Sequence, residues 1–595
     1  MKIYRTILTI ILASTIFVAK SQTIDPTLEV SRDFDARLLE ISKSKMMTNF
    51  HDSLGRFNLS FNYTIFDKPI KNLYEFTPIT SAAIQKEPSQ AKNILFLKAG
   101  SNFPLNPYGT LLVSPNTGDK FTISFGTNHN SYHSKLNSTN IEGSEITKGN
   151  SKINAPHSNT NAFIEPRFRW DSGEIGINAT YKNISDSYYG FPDSFSQFAR
   201  ESLVKDSLGK MSNVAGVSFF AKSLNKNHNT FHYSAKISYS SLKSESRHMP
   251  MLFANDPATP LNIMETKENH VFVSLDGGAG FSNYNQIMAG ATYQASNPRH
   301  TDSLTRSNIE LHPRYIFRKG RWDFELGLKY NRWWEGQEED YNIYFSGKAE
   351  LEMITNKFWL YGILDGQNNF MNYNKLLNYN PWISPTIDIK NIEQPVIARV
   401  GFKGKLKERV SFNLYGSYYE FRDQVYFVSN SLHLLADMDT PANSFNAIYK
   451  DETRFGAGAD IFYNASGFQF RLNAEYLSFK DENGANDKHY NYPSLTINAH
   501  SRYSWRERIV LSALFDYKHN TPTLIATDLL SLYPNTGYET NIPSYLRVDI
   551  NAEYIHNNNL SFFIQLNNIL DNHIVEYGTY TLPGFNGGLG LIFKL

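Results

Sequence analysis

The 595-residue chain contains no cysteine. That excludes disulfides, thiolate metal sites, cysteine nucleophiles and a lipidated N-terminal cysteine. Beyond the first twenty or so residues no apolar run reaches eighteen, so no helix is available to cross a bilayer. Charged residues are only 19% of the chain, and 58 Lys and Arg against 57 Asp and Glu leave a formal net charge of +1. Phosphate binding needs clustered excess cation, so nucleic acid is not an expected partner. The short catalytic signatures are missing as well: no Gly-x-Ser-x-Gly elbow, no His-Glu-x-x-His, no P-loop and no dinucleotide fingerprint. The chain is therefore expected not to be an enzyme, and no catalytic, cofactor-binding or metal-binding residue is assigned.

What the chain does have is aromatic residues, 14% of the total, with 42 Phe and 36 Tyr against 7 Trp. They fall into a beat of two. Trp322, Phe324, Leu326, Leu328 and Tyr330 interleave with Asp323, Glu325, Gly327, Lys329 and Asn331. Val548, Ile550, Ala552 and Tyr554 interleave in the same way with Arg547, Asp549, Asn551 and Glu553. A period of two places one set on each face of a strand. An apolar face opposite one charged with both signs suits a membrane barrel, where lipid meets the first and a wet lumen the second. The mean hydropathy of −0.42 is no objection, because lumen residues dilute the apolar ones.

Gly, Asn, Asp and charged residues punctuate the chain in ten short turns. These are Pro115–Asp119, Asp171–Gly173, Ser223–Asn229, Ser282–Asn285, Lys319–Arg321, Thr355–Lys357, Lys405–Arg409, Asn464–Gly467, Trp505–Arg508 and Asn557–Asn559. Longer polar stretches alternate with them: 134–157, 187–210, 245–267, 297–304, 334–341, 367–380, 424–443, 481–489, 519–541 and 571–582, preceded by one near 101–108. Ten tight turns with both chain ends on the same side imply about twenty-two strands of about ten residues, the size class whose lumen carries a plug. The fold class expected is all-β: a transmembrane antiparallel barrel over 93–595. Pro385 and Pro395, within 380–404, and the short first strands are the soft points of that count.

The start reads as an export signal, residues 1–21. Lys2 and Arg5 precede the apolar Ile7–Val18, and Ala19 and Ser21 occupy the small-residue positions before a cut near Gln22. Residues 22–92 form a short periplasmic or lumen-associated extension. Phe34, Leu38 and Ile41 fall at helical spacing there, and Phe57, Leu59, Phe61 and Tyr63 alternate as in a strand.

The closing segment carries a resemblance. Leu546–Ala552 and Leu560–Leu566 are followed by Asn567-Asn568-Ile569-Leu570-Asp571-Asn572, then Pro583-Gly584-Phe585, a glycine-rich strand and Phe593-Lys594-Leu595. This resembles the C-terminal barrel of TonB-dependent receptors, although Ile569-Leu570 stand where Leu-Phe is usual and the last residue is Leu. The resemblance implies a plug ahead of the barrel, but Gln22 to Asn93 leaves room for only about seventy residues. The barrel is thus expected to be plug-less. Thr27-Leu28-Glu29-Val30 is a TonB-box-like stretch that makes TonB a possible partner.

Three clusters invite chemistry. Asp481–Asp487 could offer oxygen ligands to calcium, but lacks the EF-hand spacing and reads as a solvated turn. Glu335, Glu338, Glu339 and Asp340 adjoin Trp333-Trp334, which read as part of an interfacial aromatic girdle. His228 and His232, four apart on a strand, stand about 13 Å from each other and are not a metal pair. The polar faces carry His232, Lys236, Lys329, Lys348, Glu350, Glu352, Arg399, Lys403, Asp516, Lys518, Arg547, Asp549, Glu553, Gln565 and Lys594. Such mixed signs predict self-paired charges along a hydrated lumen, not a pore selective for one sign. An unplugged lumen of this width would leak. The first expectation is accordingly a non-enzymatic subunit of an envelope complex for surface-protein assembly, export or nutrient handling. Its partners would be outer-membrane lipid and other outer-membrane proteins or lipoproteins. The alternative is a TonB-dependent or porin-like transport channel for nutrients. Either would sit in the bacterial outer membrane.

Overall fold

The computed structural model describes residues 94–595 except 116, 119, 143–144, 194–208, 225–229, 249–261, 300–304, 408, 430–442, 482–488 and 527–536. The expected signal, the extension 22–92 and its TonB-box-like stretch lie outside the described residues.

Twenty-two antiparallel strands form one continuous sheet. The first, Leu95–Phe103, pairs with the last, Asn586–Lys594, from Phe96 opposite Lys594 to Phe103 opposite Gly587, and the sheet closes into a barrel. Glycine is required at this seam: a Cβ on Gly590 would overlap the Phe563 ring and the Ala99 carbonyl. All ten expected tight turns fall at strand connections on one end of the barrel. Gly320 holds one of them with a φ of 60°, a left-handed conformation that costs glycine little. Pro385 lies between strands, and Pro395 falls at a register shift within Ile392–Leu406, where a missing N–H is tolerated.

Strand length departs from expectation. Barrel strands run from 8 residues in Asn106–Val113 to 21 in Asn262–Ser282 and Phe445–Ala465. The stretch expected as a loop near 101–108 is a two-residue connection, Pro104-Leu105, and that at 334–341 shrinks to Gly336-Gln337. The stretch 245–267 is largely strand in its described part. The reason is visible on the outward face of Phe231–His248. Phe231, Tyr233, Ala235, Ile237 and Tyr239 give way to Ser241, Lys243, Glu245 and Arg247, so pairing continues after the apolar wall has ended. Polarity marks the edge of the bilayer here, not the end of the strand. The apolar band of eight to ten residue steps corresponds to about 20–25 Å for strands tilted near 45°. Tyr181, Tyr239, Tyr293 and Tyr476, each 41–53% exposed, border it on the side away from the tight turns.

Facing follows the alternation. Leu326, Ile550 and Phe562 point outward and are 40–48% exposed. Lys329, Asp549 and Gln565 point inward, but they are buried rather than bathed in water. They are packed into side-chain networks, Lys329 with Asp365, Asp549 with Arg547 and Gln565 with Asn102.

Candidate functional site

The largest apolar core of the described residues lies at the end opposite the tight turns, where the long connections are. The segment 370–391, between strands Phe358–Asn369 and Ile392–Leu406, is its centre. Asn372 opens a seven-residue helix, Tyr373–Tyr379, by accepting from the Lys375 N–H at 2.8 Å. Tyr373, Leu376 and Leu377 are its buried face, and Pro381 follows the Asn380 cap, where a helix cannot continue. Trp382, Ile383, Ile387 and Ile389 then pack with Tyr188 and Phe191 of a second connection, Phe445 at the start of strand Phe445–Ala465, and Tyr577 and Tyr580 of a further connection.

Aromatic contacts hold these segments together. Trp382 stacks on Tyr580 with ring centroids 4.1 Å apart, and Tyr189 meets Tyr580 edge-on at 4.9 Å. Backbone bonds add register: Phe445 N–H donates to Trp382 O and Ser384 N–H to Phe445 O. Two hairpins from other connections, Lys135–Glu142 with Glu145–Asn154 and Thr521–Ala526 with Gly537–Ile542, join through a bridge between Asn541 and Glu145 into a four-stranded sheet. Five or more connections thus interlock as a cap.

The wall grips this cap by buried charge. Glu268 accepts from the N–H groups of Tyr373 at 2.9 Å and Asn374 at 3.0 Å, the orphan donors of the helix start, and from Ser296 Oγ at 2.8 Å. Lys210 donates to Ile383 O at 2.8 Å, and Arg306 donates to Ile389 O. Lys182 reaches Asn378 Oδ1 at 2.9 Å from a strand eight places around the wall from Phe358–Asn369, so the segment extends across the mouth. Burial pushes the Lys210 ammonium down to about 7, with Asp186 pulling the other way. Burial likewise raises the Glu268 carboxyl, against the backbone donors that favour its charged form.

Beyond the cap, the inward face of the wall pairs its own charges. Lys329 meets Asp365 at 2.8 Å, Lys403 meets Glu350 at 2.7 Å, Arg547 meets Asp549 at 2.8 Å, and Arg314 bridges Asp276 and Glu325 at 2.9 and 3.3 Å. Arg399 donates to Tyr419 at 2.7 Å. Self-pairing of this kind, expected from the mixed signs, leaves no uniform field along the wall.

The other candidates separate. Glu335 pairs with Arg306 and Glu339 with Arg332, so arginines already neutralise half of that acidic cluster. Trp334 is no simple girdle residue: it lies beyond Tyr330, under the Arg332 guanidinium, and donates to Glu339 at 2.9 Å. The calcium-loop residues 482–487 and His228 lie outside the described residues. Among the described residues no group of three or more His, Asp or Glu is placed to hold a metal ion. The Asn568–Asp571 motif ties the last strands at the capped end: Asn568 N–H donates to Asp549 at 2.8 Å, and Asp571 accepts from Phe585 N–H at 2.8 Å.

No family model matches the chain, and no curated protein matches it by sequence. Solved structures do match. The FrpB iron transporter from Neisseria meningitidis aligns with a TM-score of 0.62 at 10% identity, over 84% of this chain and 81% of its own. The siderophore receptor PirA from Acinetobacter baumannii gives 0.62 at 11%, over 84% and 80%. A mutant of the ferric enterobactin receptor PfeA from Pseudomonas aeruginosa gives 0.60 at 12%, over 85% and 81%. At such identities the likeness is one of fold: this chain has a closed 22-strand barrel of the kind found in TonB-dependent outer-membrane receptors.

Proposed function

We propose that the protein is a non-enzymatic outer-membrane channel that takes up a nutrient solute through a lumen gated by its own cap. The observation that carries this reading is the cap itself. A diffusive porin keeps its lumen open, whereas here several connections interlock over the mouth around Trp382, Phe445, Tyr577 and Tyr580. One neighbour is an iron transporter and the other two are a siderophore receptor and a ferric enterobactin receptor, which supports uptake as the class of activity without naming the solute. The expectation of a subunit in an assembly complex drew its motive from leakage. A cap formed by the chain removes that motive, and neither fold nor neighbours support the complex. TonB fits as a partner if Thr27–Val30 serves as its contact.

Planar-bilayer recording tests the reading. The full chain should show only small or rare openings, and replacing 374–388 by a short Gly-Ser linker should produce long, large conductance steps. Large steps from the unmodified chain, or an unchanged trace after the replacement, would sink it.

A further inference from the structure

The outward face of four adjacent strands, Phe231–His248, Asn262–Ser282, Asn285–Arg299 and Arg306–Lys319, carries two features that the cap does not explain. The first is a row of like charges. Lys243 stands directly opposite Lys267, and Lys267 directly opposite Arg299. Opposed like charges on neighbouring strands destabilise a sheet, since their Cβ atoms are about 5 Å apart. The matching row one outward position farther from the bilayer is acidic, with Glu245 opposite Glu265. Lys243 pairs with Glu245 at 2.6 Å and with Glu265 at 3.3 Å, and Lys267 also pairs with Glu265. Three cations against two carboxylates leave an excess of one, and the positive row is the one nearer the lipid. Lys243 and Lys267 keep about half of their side-chain surface exposed, at 47% and 55%.

The second feature is an apolar groove of about 500 Å³ on the same four strands, at the level of the bilayer band. Phe231, Leu275 and Leu311 flank it, and Gly277, Ala289 and Ala291 form its floor. The Phe231 ring lies close over Gly277, where even a methyl group would meet it at 3.2 Å. The two features are matched in spacing. Leu275 to Lys267 and Ala291 to Arg299 are each eight residues, about 26 Å along a strand and about 19 Å in height at a 45° tilt. One leaflet, from midplane to headgroup, is about 20 Å deep.

We propose that these strands form a binding site for one anionic, phosphate-bearing lipid of the outer leaflet. Its phosphate would rest on Lys243, Lys267 and Arg299, and an acyl chain would fill the groove. The phosphate takes over part of the charge compensation that Glu265 supplies to the lysines. The site lies on the outside of the wall and is independent of the uptake reading.

Native mass spectrometry of the full chain in detergent, incubated with phosphatidylglycerol or phosphatidylcholine, tests this. The wild type should retain one phosphatidylglycerol at least tenfold more strongly than phosphatidylcholine. The triple variant Lys243→Gln, Lys267→Gln, Arg299→Gln should lose that preference, Glu265→Gln should enhance it, and Ala291→Phe should weaken retention of both lipids. Equal retention of the two lipids by the wild type overturns the proposal, as does a triple variant that keeps the preference. The wild-type comparison decides even if a variant fails to fold.

Discussion

Trp382 lies flat on Tyr580, 27° from parallel, while the Tyr580 hydroxyl donates to Asn443 O at 2.7 Å. One tyrosine thereby joins three connections that are far apart in the chain. Both rings are at least 97% buried, so the cap depends on this stack as a soluble domain depends on its core. Replacing Trp382 by Ala should destabilise the cap by about 3–5 kcal/mol, the range for a buried Trp, and leave the barrel closed. Limited proteolysis should then cut within 370–391, while the unboiled protein still migrates as a folded barrel. Cutting at the wild-type rate would show that the stack is not what holds the cap.

Glu268 is the wall's hold on the helix. Glu268→Ala strands the N–H groups of Tyr373 and Asn374 without an acceptor and should cost about 1–3 kcal/mol. Glu268→Gln should cost less, since an amide oxygen still accepts but brings no charge to the positive helix end. Hydrogen exchange at Tyr373 and Asn374 reads this directly, and equal protection in all three forms would refute it.

Lys210 gives the cap a pH dependence. Its ammonium has a folded value near 7 against 10.5 when unfolded, so between these values the released cap binds more protons than the docked one. Stability conferred by docking therefore rises with pH across that window and is flat below about 7. Exchange protection at 380–390 should climb from pH 7.5 to 9.5 after correction for intrinsic rates. In Lys210→Met that slope should vanish. A slope that persists in Lys210→Met would assign the dependence to another group.

The wall makes the last prediction. Arg at Ile550, which is 40% exposed on the outward face, should cost about 2–4 kcal/mol if the position lies near the bilayer midplane. Arg at Asn551, on the inward face, should cost far less. Unfolding from lipid vesicles in urea measures both, and equal costs would mean that the apolar face does not meet lipid.

The barrel was legible in the sequence because each of its strands is a local object. Alternation at Trp322–Tyr330 or Leu546–Tyr554 sets the faces, and glycine or asparagine punctuation sets the turns, so the ten turns and the strand number of twenty-two needed no distant contact. Strand ends were not legible. Above Tyr239 the outward face turns polar while backbone pairing continues, and a polar residue paired outside the membrane looks the same in sequence as one in a loop. The cap was invisible for a different reason. Trp382, Phe445 and the pair Tyr577 and Tyr580 come from three stretches far apart in the chain, each a few aromatic residues without period. Lys210, Glu268 and Arg306 lie in or beside the polar stretches 187–210, 245–267 and 297–304, outside the set that alternation places on the lumen face. What makes them a site is closure of the barrel, which brings connections hundreds of residues apart over one mouth, where burial makes each hydrogen bond hard to replace. The sequence by itself determined the wall, through local period and turn chemistry. Only the tertiary structure decided what covers it, because that depends on which connections the closed ring brings face to face.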